Sequence, residues 1–531
     1  MVCPAGVPSV RIDPRRPPSE LPIDAFLESD PALHERDIPV AARPSIVGPW
    51  RWTGFTAATL IAASAPLWRL AGNEWRFTLP GLPHDGRKPF TTAIFLISAG
   101  VLALSWVMLV RRVERSDAPQ RTRTRAVLLT CGLWFVPVLL GPPLLSSDVY
   151  SYAAQGEMVT KGFDPTSEGM YRLQTGEYVS RVDPLWRRPT VGNGYGPVQM
   201  GVAAIAATVT NHHALDTVLV LRIVAVLGVF FAAWGLLQIA RNVGLDPPTT
   251  LAMAIANPIV VLHIVGGAHN DGLLLGLLFA GIALTQRGRW WWGVTLLAMA
   301  AAVKLPAAAA LPYLAWCRPG WKASWQERMK SMASTGAAAI GVILAWSVVV
   351  GVSLGWINSM RNAATLSKGT LAITTQLGYI VAGAINSVGL VANTNGWIDA
   401  FRTIGMLAIA AIAVWLLLKS TRLGALRATG LCMLAMVVLG PVVWPWYLAP
   451  AIAVLAVTDL GRWRASLMVI TTAFACEVFP SSPGGTVPDN NHLVSTLVIL
   501  AIAGLALALP WAQTWWAATK QRPTTGVALA D

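Results

Sequence analysis

An acidic side chain stands at the end of a long apolar run, where it could carry out proton-transfer chemistry. Asp148 follows the apolar residues 126–145 and lies within the motif SSDVYSYAAQG at residues 146–156. A carboxylate placed where lipid meets water could take a proton from a hydroxyl group as that hydroxyl attacks an activated carbon. The alternative is a helix cap, since Ser146 or Asp148 could cap a helix through residues 149–160.

Tyrosine and amide side chains follow Asp148 within the same motif. Tyr150, Tyr152 and Gln155 all lie within two helical turns of the carboxylate. Tyrosine is common at membrane interfaces, and its ring also stacks on sugars. We therefore predict that these three residues bind substrate.

A second cluster of polar residues joins two apolar runs in a glycine-rich turn. His269, Asn270 and Asp271 lie in the motif GGAHNDG, and His263 precedes it. Polar groups so close to hydrocarbon cost free energy unless they are satisfied or used. We predict that the three motif residues bind sugar or phosphate groups. Capping of the turn and the following span is one alternative. Zinc binding is another, but the spacing matches no known metal motif.

Lys304 is the only charged residue between Arg289 and Arg318, and Pro306 follows it closely. A charge within hydrocarbon is costly, and a proline interrupts a helix. The lysine could extend its amine to the membrane interface, as long basic side chains do near helix ends. It could instead face the phosphate of a lipid substrate there, and this is the role that we predict.

Three aromatic residues, Trp444, Trp446 and Tyr447, form most of the motif WPWY. The aromatic belts of membrane proteins explain such a cluster equally well. Stacked aromatic rings also suit the apolar face of a sugar, so we predict that these residues bind substrate. Glu477, a lone acid near the end of an apolar run, is interpreted as a packing or interface residue, with a functional role as the alternative.

The elements that must position these residues are membrane helices. The chain has 531 residues, 54% hydrophobic and 12% charged, and a mean hydropathy of +0.55, whereas soluble proteins carry about 25% charged residues. We predict an all-α fold, a polytopic transmembrane helix bundle of about 14 spans, since about 20 apolar residues cross a bilayer. The predicted spans are 53–70, 91–110, 126–145, 217–240, 250–265, 271–286, 290–303, 305–317, 331–355, 400–418, 429–443, 446–458, 465–480 and 493–516.

The placement of basic residues predicts the orientation and argues against nucleic acid as a partner, despite a net charge of +14. Arginines collect in short linkers such as 111–125, which is the positive-inside pattern of a membrane protein. We therefore place the N-terminus in the cytoplasm and residues 146–196 outside. If residues 197–211 lie on the outer surface, the later inner loops hold fourteen basic residues against three outside, and if they cross the membrane these numbers are exchanged. We choose the surface helix, with both termini inside.

The domain organisation follows from this topology. Residues 1–50 are polar and rich in proline, and we predict a disordered cytosolic tail. Residues 51–516 form the membrane-embedded catalytic domain, and residues 517–531 form a second cytosolic tail. Within the domain, the long outer loop 146–196 carries the catalytic residue and leads to the juxtamembrane helix 197–211. The five cysteines are widely spaced without a CxxC pair, which is typical of small buried residues.

Taken together, the motifs resemble a known family. SSDVYSYAAQG, with VDPLW and YGP downstream, is similar to the actinobacterial polyprenol-phosphomannose-dependent alpha-1,6-mannosyltransferases of the GT-C superfamily. GGAHNDG, VKLP and WPWY match the expected order and spacing, so the resemblance covers nearly everything but the two tails. One departure is DPTSEGM at residues 164–170, where the family has a DPYxxGP-like run. It bears on acceptor contact and not on the class of reaction.

The resemblance implies a GT-C-like enzyme of the cell membrane. It would transfer mannose from polyprenyl-phosphate-mannose on the outer leaflet to a mannosylated glycolipid acceptor. The product would be the alpha-1,6 backbone of lipomannan, formed with inversion, and Asp148 would be the general base. No cofactor is required, and the sequence indicates no divalent ion although one is compatible with the reaction. No glycine-rich phosphate loop follows a strand, which suits a donor carried by a lipid.

Two other classes of function stay open at the level of sequence. The first is a secondary transporter or flippase of a lipid-linked sugar. Such proteins often contain inverted repeats and charges near the membrane midplane, but the two halves of this chain show no repeat and the candidate residues gather at one face. The second is a non-catalytic scaffold. A mannosyl-transfer assay with purified protein separates all three classes.

The charge asymmetry yields a prediction about topology. In a cysteine-free background, a single cysteine in place of Gly176 should react with an impermeant thiol reagent in intact protoplasts, because residues 146–196 face outwards. A cysteine in place of Arg115 is the control and should react only after lysis. The reverse pattern of labelling would contradict the predicted orientation.

Overall fold

The computed structural model of the protein is helical throughout the part of the chain that it describes. The described residues are 46–64, 84–174, 176–182, 187, 194–360, 372–476, 497, 501–502, 504–510 and 512, except that the side chains of 84–92 are not described. These residues belong to one compact unit, Ile46–Asp531. No strand occurs among them, which confirms the predicted all-α class.

Seventeen helices in the described ranges are numbered here in chain order. The first nine are α1 (Trp50–Ser64), α2 (His84–Glu114), α3 (Gln120–Leu140), α4 (Asp148–Thr160), α5 (Glu177–Arg181), α6 (Pro197–Val209), α7 (Ala214–Asn242), α8 (Pro247–Ala254) and α9 (Asp271–Gln286). The others are α10 (Trp290–Val303), α11 (Ala310–Cys317), α12 (Trp325–Val350), α13 (Ile373–Ser387), α14 (Thr394–Leu423), α15 (Ala425–Leu439), α16 (Leu448–Ala456) and α17 (Arg464–Ala475). A π-helical segment, Val260–Gly266, precedes α9, and short 3₁₀ turns link several of the others.

Several of these helices are long and apolar enough to cross a membrane. Within the described ranges there are five, namely Ala93–Glu114, α3, α7, α12 and α14. The π-helical segment and α9 would together form a sixth span, which is bent by 108° at the break between them. The protein therefore has the apolar helices of a polytopic membrane protein. The count of about 14 spans stays a prediction, because many of the expected spans are short or broken helices here.

The predicted span 250–265 illustrates such a break. Helix α8 begins with the side chain of Asp246 as its N-cap, which accepts a hydrogen bond from Thr249 N at 3.1 Å, and with a proline at its first position. The helix ends before Pro258, which cannot donate a backbone hydrogen bond. The Asn257 side chain instead accepts a hydrogen bond from Ile259 N at 2.9 Å. The chain resumes as the π-helical segment that leads into the glycine-rich turn.

A second break separates the predicted spans 290–303 and 305–317. Helix α10 ends at Val303, and Lys304 is extended, with φ −155° and ψ 124°. Pro306 has no backbone N–H, and in a continuous helix its ring would clash with the carbonyl four residues earlier, so the chain restarts as the 3₁₀ turn Leu305–Ala309. The break places the side chain of Lys304 inside the bundle.

The two short helices expected around the outer loop are both present. Helix α4 covers the predicted helix 149–160, and α6 covers most of the predicted juxtamembrane helix 197–211. They pack closely, and a Cβ on Gly156 would lie 2.3 Å from the backbone of Ala203. Gly156 is thus the point at which α4 meets α6.

Some predictions fall outside the described residues. These are the tail residues 1–45, the C-terminal tail 517–531, Glu477, most of VDPLW, and parts of the predicted spans 53–70, 465–480 and 493–516. The predicted domain boundaries accordingly stay predictions.

Candidate active site

Asp148 is the first residue of α4, and its carboxylate reaches a partly open site. Its side chain is 22% exposed. The hydroxyl of Ser146 accepts a hydrogen bond from Asp148 N at 3.1 Å, so Ser146 satisfies one of the free amide groups at the helix start. The N-cap position itself is held by Ser147, whose side chain makes no capping hydrogen bond, so neither Ser146 nor Asp148 is the N-cap residue. The Asp148 carboxylate, within the first turn, is favoured by the helix dipole.

The hydroxyl of Tyr152 lies at the centre of a group of polar side chains. It is 3.5 Å from Asp148 Oδ2, 3.4 Å from the Tyr195 hydroxyl and 3.3 Å from His269 Nδ1. Tyr152 follows Asp148 by four residues, so both side chains lie on one face of α4. Burial, with smaller contributions from nearby groups, raises the pKa of Tyr152 well above its ordinary value. The phenol therefore stays protonated and can donate a hydrogen bond.

His269 comes from the glycine-rich turn, which a backbone hydrogen bond ties to the chain just before Asp148. Leu144 N donates to Gly266 O at 3.0 Å. Gly267 lies at the contact, where a Cβ would be 2.5 Å from His263 O and 2.9 Å from Leu144 O. The absence of a side chain at Gly267 lets the two segments meet. His269 Nδ1 consequently lies 3.8 Å from Asp148 Oδ2.

The aromatic motif WPWY forms one wall of the site. The Trp446 ring stacks on the His269 ring at 3.9 Å between centroids, and Trp444 stacks on Trp446 at 5.3 Å with an interplanar angle of 4°. Trp446 is buried between the other two rings, whereas Trp444 is only half-buried. The stack therefore leads from the buried imidazole to a partly open indole.

Lys304 and Asp271 form a buried ion pair beside this wall. Lys304 Nζ lies 2.9 and 3.2 Å from the two carboxylate oxygens of Asp271, and both side chains are buried. The ammonium group also lies 4.1 Å from the centre of the Tyr447 ring and 5.9 Å from that of Tyr195. Lys304 is therefore held within the protein by Asp271 and these rings.

Tyr195 belongs to the site although we did not predict it as a site residue. Its ring packs edge-on against Tyr152, with centroids 5.1 Å apart. The next residue, Gly196, donates a backbone hydrogen bond to Val303 O at 3.2 Å, and a Cβ there would lie 2.3 Å from Ala302 O. This close approach joins the motif YGP to VKLP. A tyrosine in front of a Gly-Pro pair that starts an apolar helix was the available signal.

Not every predicted residue lies in this group. Tyr150 of α4 is buried in the core and is close enough to Arg222 to interact with its charge. Asn270 and Gln155 are both buried, and in the described part of the chain the Asn270 amide and Gln155 Oε1 have no hydrogen-bond partner. Among the same residues, no three His, Cys, Asp or Glu side chains are close enough together to hold a metal ion.

The run DPTSEGM attaches the segment after α4 to the chain just after α12. The Asp164 carboxylate accepts hydrogen bonds from Thr166 N at 2.9 Å and from Ser353 N at 3.1 Å. The Thr166 and Ser353 hydroxyls are 2.9 Å apart. Burial alone would raise the pKa of Asp164, but these hydrogen bonds lower it below its ordinary value. Thr166 thus makes a polar tie to the chain just after α12.

Comparison with known proteins places these motifs within one group of sequences. A family model described as "Alpha-(1->6)-mannopyranosyltransferase, N-terminal domain" matches residues 51–320, and one described as "MptB C-terminal domain" matches residues 374–510. Alpha-(1->6)-mannopyranosyltransferase B of Corynebacterium glutamicum is 29% identical over 82% of this chain and 76% of its own length. Alpha-(1->6)-mannopyranosyltransferase A of Mycobacterium tuberculosis is 29% identical over 78% of each chain. No solved structure matches the chain.

The contact at Gly267 yields a prediction about stability. Gly267→Ala should lower the thermal unfolding midpoint in detergent, because its Cβ would overlap two backbone oxygens and such overpacking costs about 1–3 kcal/mol. Gly132→Ala is the matched control, since a Cβ there meets nothing within 4 Å and alanine favours a helix. Equal midpoints for the two variants would contradict the role of Gly267.

Proposed function

Because the chain belongs to the alpha-(1->6)-mannopyranosyltransferase family, we propose that it transfers mannose from polyprenyl-phosphate-mannose to a mannosylated glycolipid. The protein is a glycosyltransferase, and membership in this family decides against the transporter and scaffold alternatives. The new bond extends the alpha-1,6 backbone of lipomannan on the outer face of the cell membrane.

One observation carries this proposal, namely a partly exposed carboxylate at the edge of a buried polar cluster. Asp148 is 22% exposed, whereas the neighbouring Tyr152 and His269 are almost completely buried. Asp148 is therefore the acid of this cluster that an acceptor hydroxyl can reach. General-base catalysis requires hydrogen-bond reach between the base and the proton that it takes.

The proposed reaction is a single displacement at the anomeric carbon of the donor mannose. The acceptor hydroxyl oxygen forms a bond to this carbon while its proton passes to the Asp148 carboxylate. The bond between the anomeric carbon and the phosphate oxygen breaks, and its electron pair leaves with polyprenyl phosphate. Since attack and departure occur on opposite faces, an alpha product requires a beta-linked donor. Asp148 then returns the proton to water.

The aromatic wall supplies a platform for a sugar. Trp444 is half-buried and continues the stack formed by Trp446 and His269, so the apolar face of a mannose could pack on its exposed side. We assign Trp444 to substrate binding on these grounds. Asn270 is buried, so its role in binding sugar or phosphate stays a prediction.

In the described part of the chain Lys304 is a cation beside this group, and we assign it to the donor phosphate. Its charge is balanced by Asp271 in the described arrangement. The phosphate gains a full negative charge as the leaving group departs, and a fixed cation stabilises such developing charge. The rings of Tyr447 and Tyr195 flank the ammonium group and limit its contact with water.

The test of the base is Asp148→Asn. Loss of a general base lowers the rate by roughly 100- to 10,000-fold, whereas asparagine serves a helix terminus about as well as aspartate. We expect almost no mannose transfer from labelled polyprenyl-phosphate-mannose, with an unchanged unfolding midpoint and unchanged donor binding. Asp216→Asn is the matched control, because Asp216 also lies in the first turn of a helix but outside the site. Asp148→Asn activity above about a tenth of wild type would rule out the assigned base.

The test of Lys304 must separate donor binding from stability. Lys304→Met alone leaves Asp271 buried without its partner, which costs about 3–5 kcal/mol, so its unfolding midpoint should fall. Lys304→Met combined with Asp271→Asn removes both charges and should recover most of that loss. In this double variant we expect an apparent donor KM at least about 10-fold higher than that of wild type, because one charge-assisted contact to the phosphate is lost.

Asp271→Asn alone is the control for this test, because it keeps the cation that meets the phosphate. Its donor KM should not rise, and the acceptor KM should be unchanged in all three variants. A double variant with the donor KM and turnover of wild type would return Lys304 to a purely structural role.

A further inference from the structure

We propose that Tyr152 and His269 are positioning residues, which hold and tune the Asp148 carboxylate and make no contact with substrate. This inference rests on the proposed function, in which Asp148 is the base. It changes the prediction from sequence, which placed both residues among the substrate-binding groups. The geometry of the buried cluster behind Asp148 points to the new role.

The exposed fractions of the side chains distinguish a positioning role from contact with substrate. The Tyr152 side chain is 1% exposed and His269 is 0% exposed, against 22% for Asp148. His269 is covered on one face by Trp446, with ring centroids 3.9 Å apart. A sugar cannot reach these two side chains without displacing the groups that cover them. Asp148 thus lies between the opening of the site and the pair that supports it.

The Tyr152 hydroxyl can hold three groups in one arrangement. It lies within 3.5 Å of Asp148 Oδ2, of the Tyr195 hydroxyl and of His269 Nδ1. A phenol donates one hydrogen bond and accepts up to two. In the arrangement that we propose, Tyr152 donates to Asp148 and accepts from His269 Nδ1–H and from Tyr195. Such contacts are often long without substrate and shorten in the reacting complex.

The protonation of the cluster favours this direction. Burial raises the pKa of Tyr152 and that of Tyr195 well above the ordinary value, so both phenols keep their protons at any working pH. A hydrogen bond donated to a carboxylate stabilises the charged form and lowers its pKa. Among the described residues, the ionisable groups that face Asp148 are Tyr152, Tyr195 and His269, and Tyr447 and the ion pair of Lys304 with Asp271 lie behind them.

Trp446 keeps the imidazole in the orientation that this arrangement needs. Its ring lies within 22° of parallel to the His269 ring, which limits rotation of the imidazole about its χ angles. His269 also belongs to the turn that Leu144 binds through its backbone. The imidazole is therefore fixed relative to the chain that leads into Asp148.

The experiment measures the pKa of the Asp148 carboxyl group directly. The carboxylate band of Asp148 is isolated as the infrared difference between wild type and Asp148→Asn, and it is followed as a function of pH. Tyr152→Phe removes only the donor hydroxyl, and we expect the Asp148 pKa to rise by about one unit. Tyr178→Phe is the matched control. It removes a buried hydroxyl that bonds Thr217 at 2.9 Å, outside the site, and the pKa should not change.

His269→Phe keeps an aromatic ring on Trp446 but removes the nitrogen that faces Tyr152. We expect a rise of the Asp148 pKa in the same direction, and less than additive effects when it is combined with Tyr152→Phe. His263→Phe is its control, since His263 also lies against Trp446, with centroids 5.8 Å apart. In the described residues neither His263 ring nitrogen has a hydrogen-bond partner. This control should leave the pKa unchanged.

Kinetics separate positioning from substrate contact. Displacement of a catalytic group should lower kcat roughly 10- to 100-fold, and the acidic limb of the pH profile should move upward with the Asp148 pKa. Both KM values should stay the same. A raised KM with an unchanged profile would mean substrate contact and would overturn the proposal.

An Asp148 pKa that is the same in wild type and Tyr152→Phe would also overturn the proposal. The infrared titration requires no donor or acceptor, so its result stands whichever sugar the enzyme transfers. Failure of wild type to use polyprenyl-phosphate-mannose would contradict the proposed function alone.

Discussion

The backbone at helix breaks inside an apolar bundle must find hydrogen-bond partners within the protein, because lipid offers none. In two places a backbone N–H next to one break bonds to a backbone carbonyl next to another break that is distant in the sequence. Leu144 N bonds to Gly266 O, and Gly196 N bonds to Val303 O. Each bond joins two of the motifs that the sequence separates. The requirement to satisfy the backbone therefore also brings the reactive side chains together.

Glycines make these contacts possible. Each lies where two backbone segments approach too closely to leave room for a side chain. The positions are Gly156, Gly196 and Gly267, and at each of them a Cβ would lie within 3 Å of a backbone oxygen of another segment. The motif glycines and the motif polar residues therefore build the site together. The glycines set the distance between segments, and the aspartates, histidine and lysine occupy the space that results.

Much of the site could be predicted from sequence because it is local. Asp148 at the start of a helix, the helix near residues 197–211 and the reactive turn around His269 follow from apolar runs and the residues that interrupt them. The pairing of Lys304 with Asp271 and the position of Tyr195 did not follow. Both depend on contacts between residues that are distant in the sequence, and a single sequence carries no signal for such contacts. The break at Pro306 also followed from sequence, since the predicted spans 290–303 and 305–317 are already separated at Lys304. The break at Pro258, within the predicted span 250–265, did not.

Because the backbone of Leu144 is held by Gly266, the position of Asp148 also depends on the number of residues between Leu144 and α4. Leu145, Ser146 and Ser147 alone connect this fixed point to the start of α4, and Leu145 has a φ of +62° that few side chains adopt. One residue added to or lost from this bridge would change the distance between the fixed point and the start of α4, and would thereby displace the carboxylate of Asp148 from its neighbours. Evolution is therefore freer to exchange side chains in the bridge than to change its length.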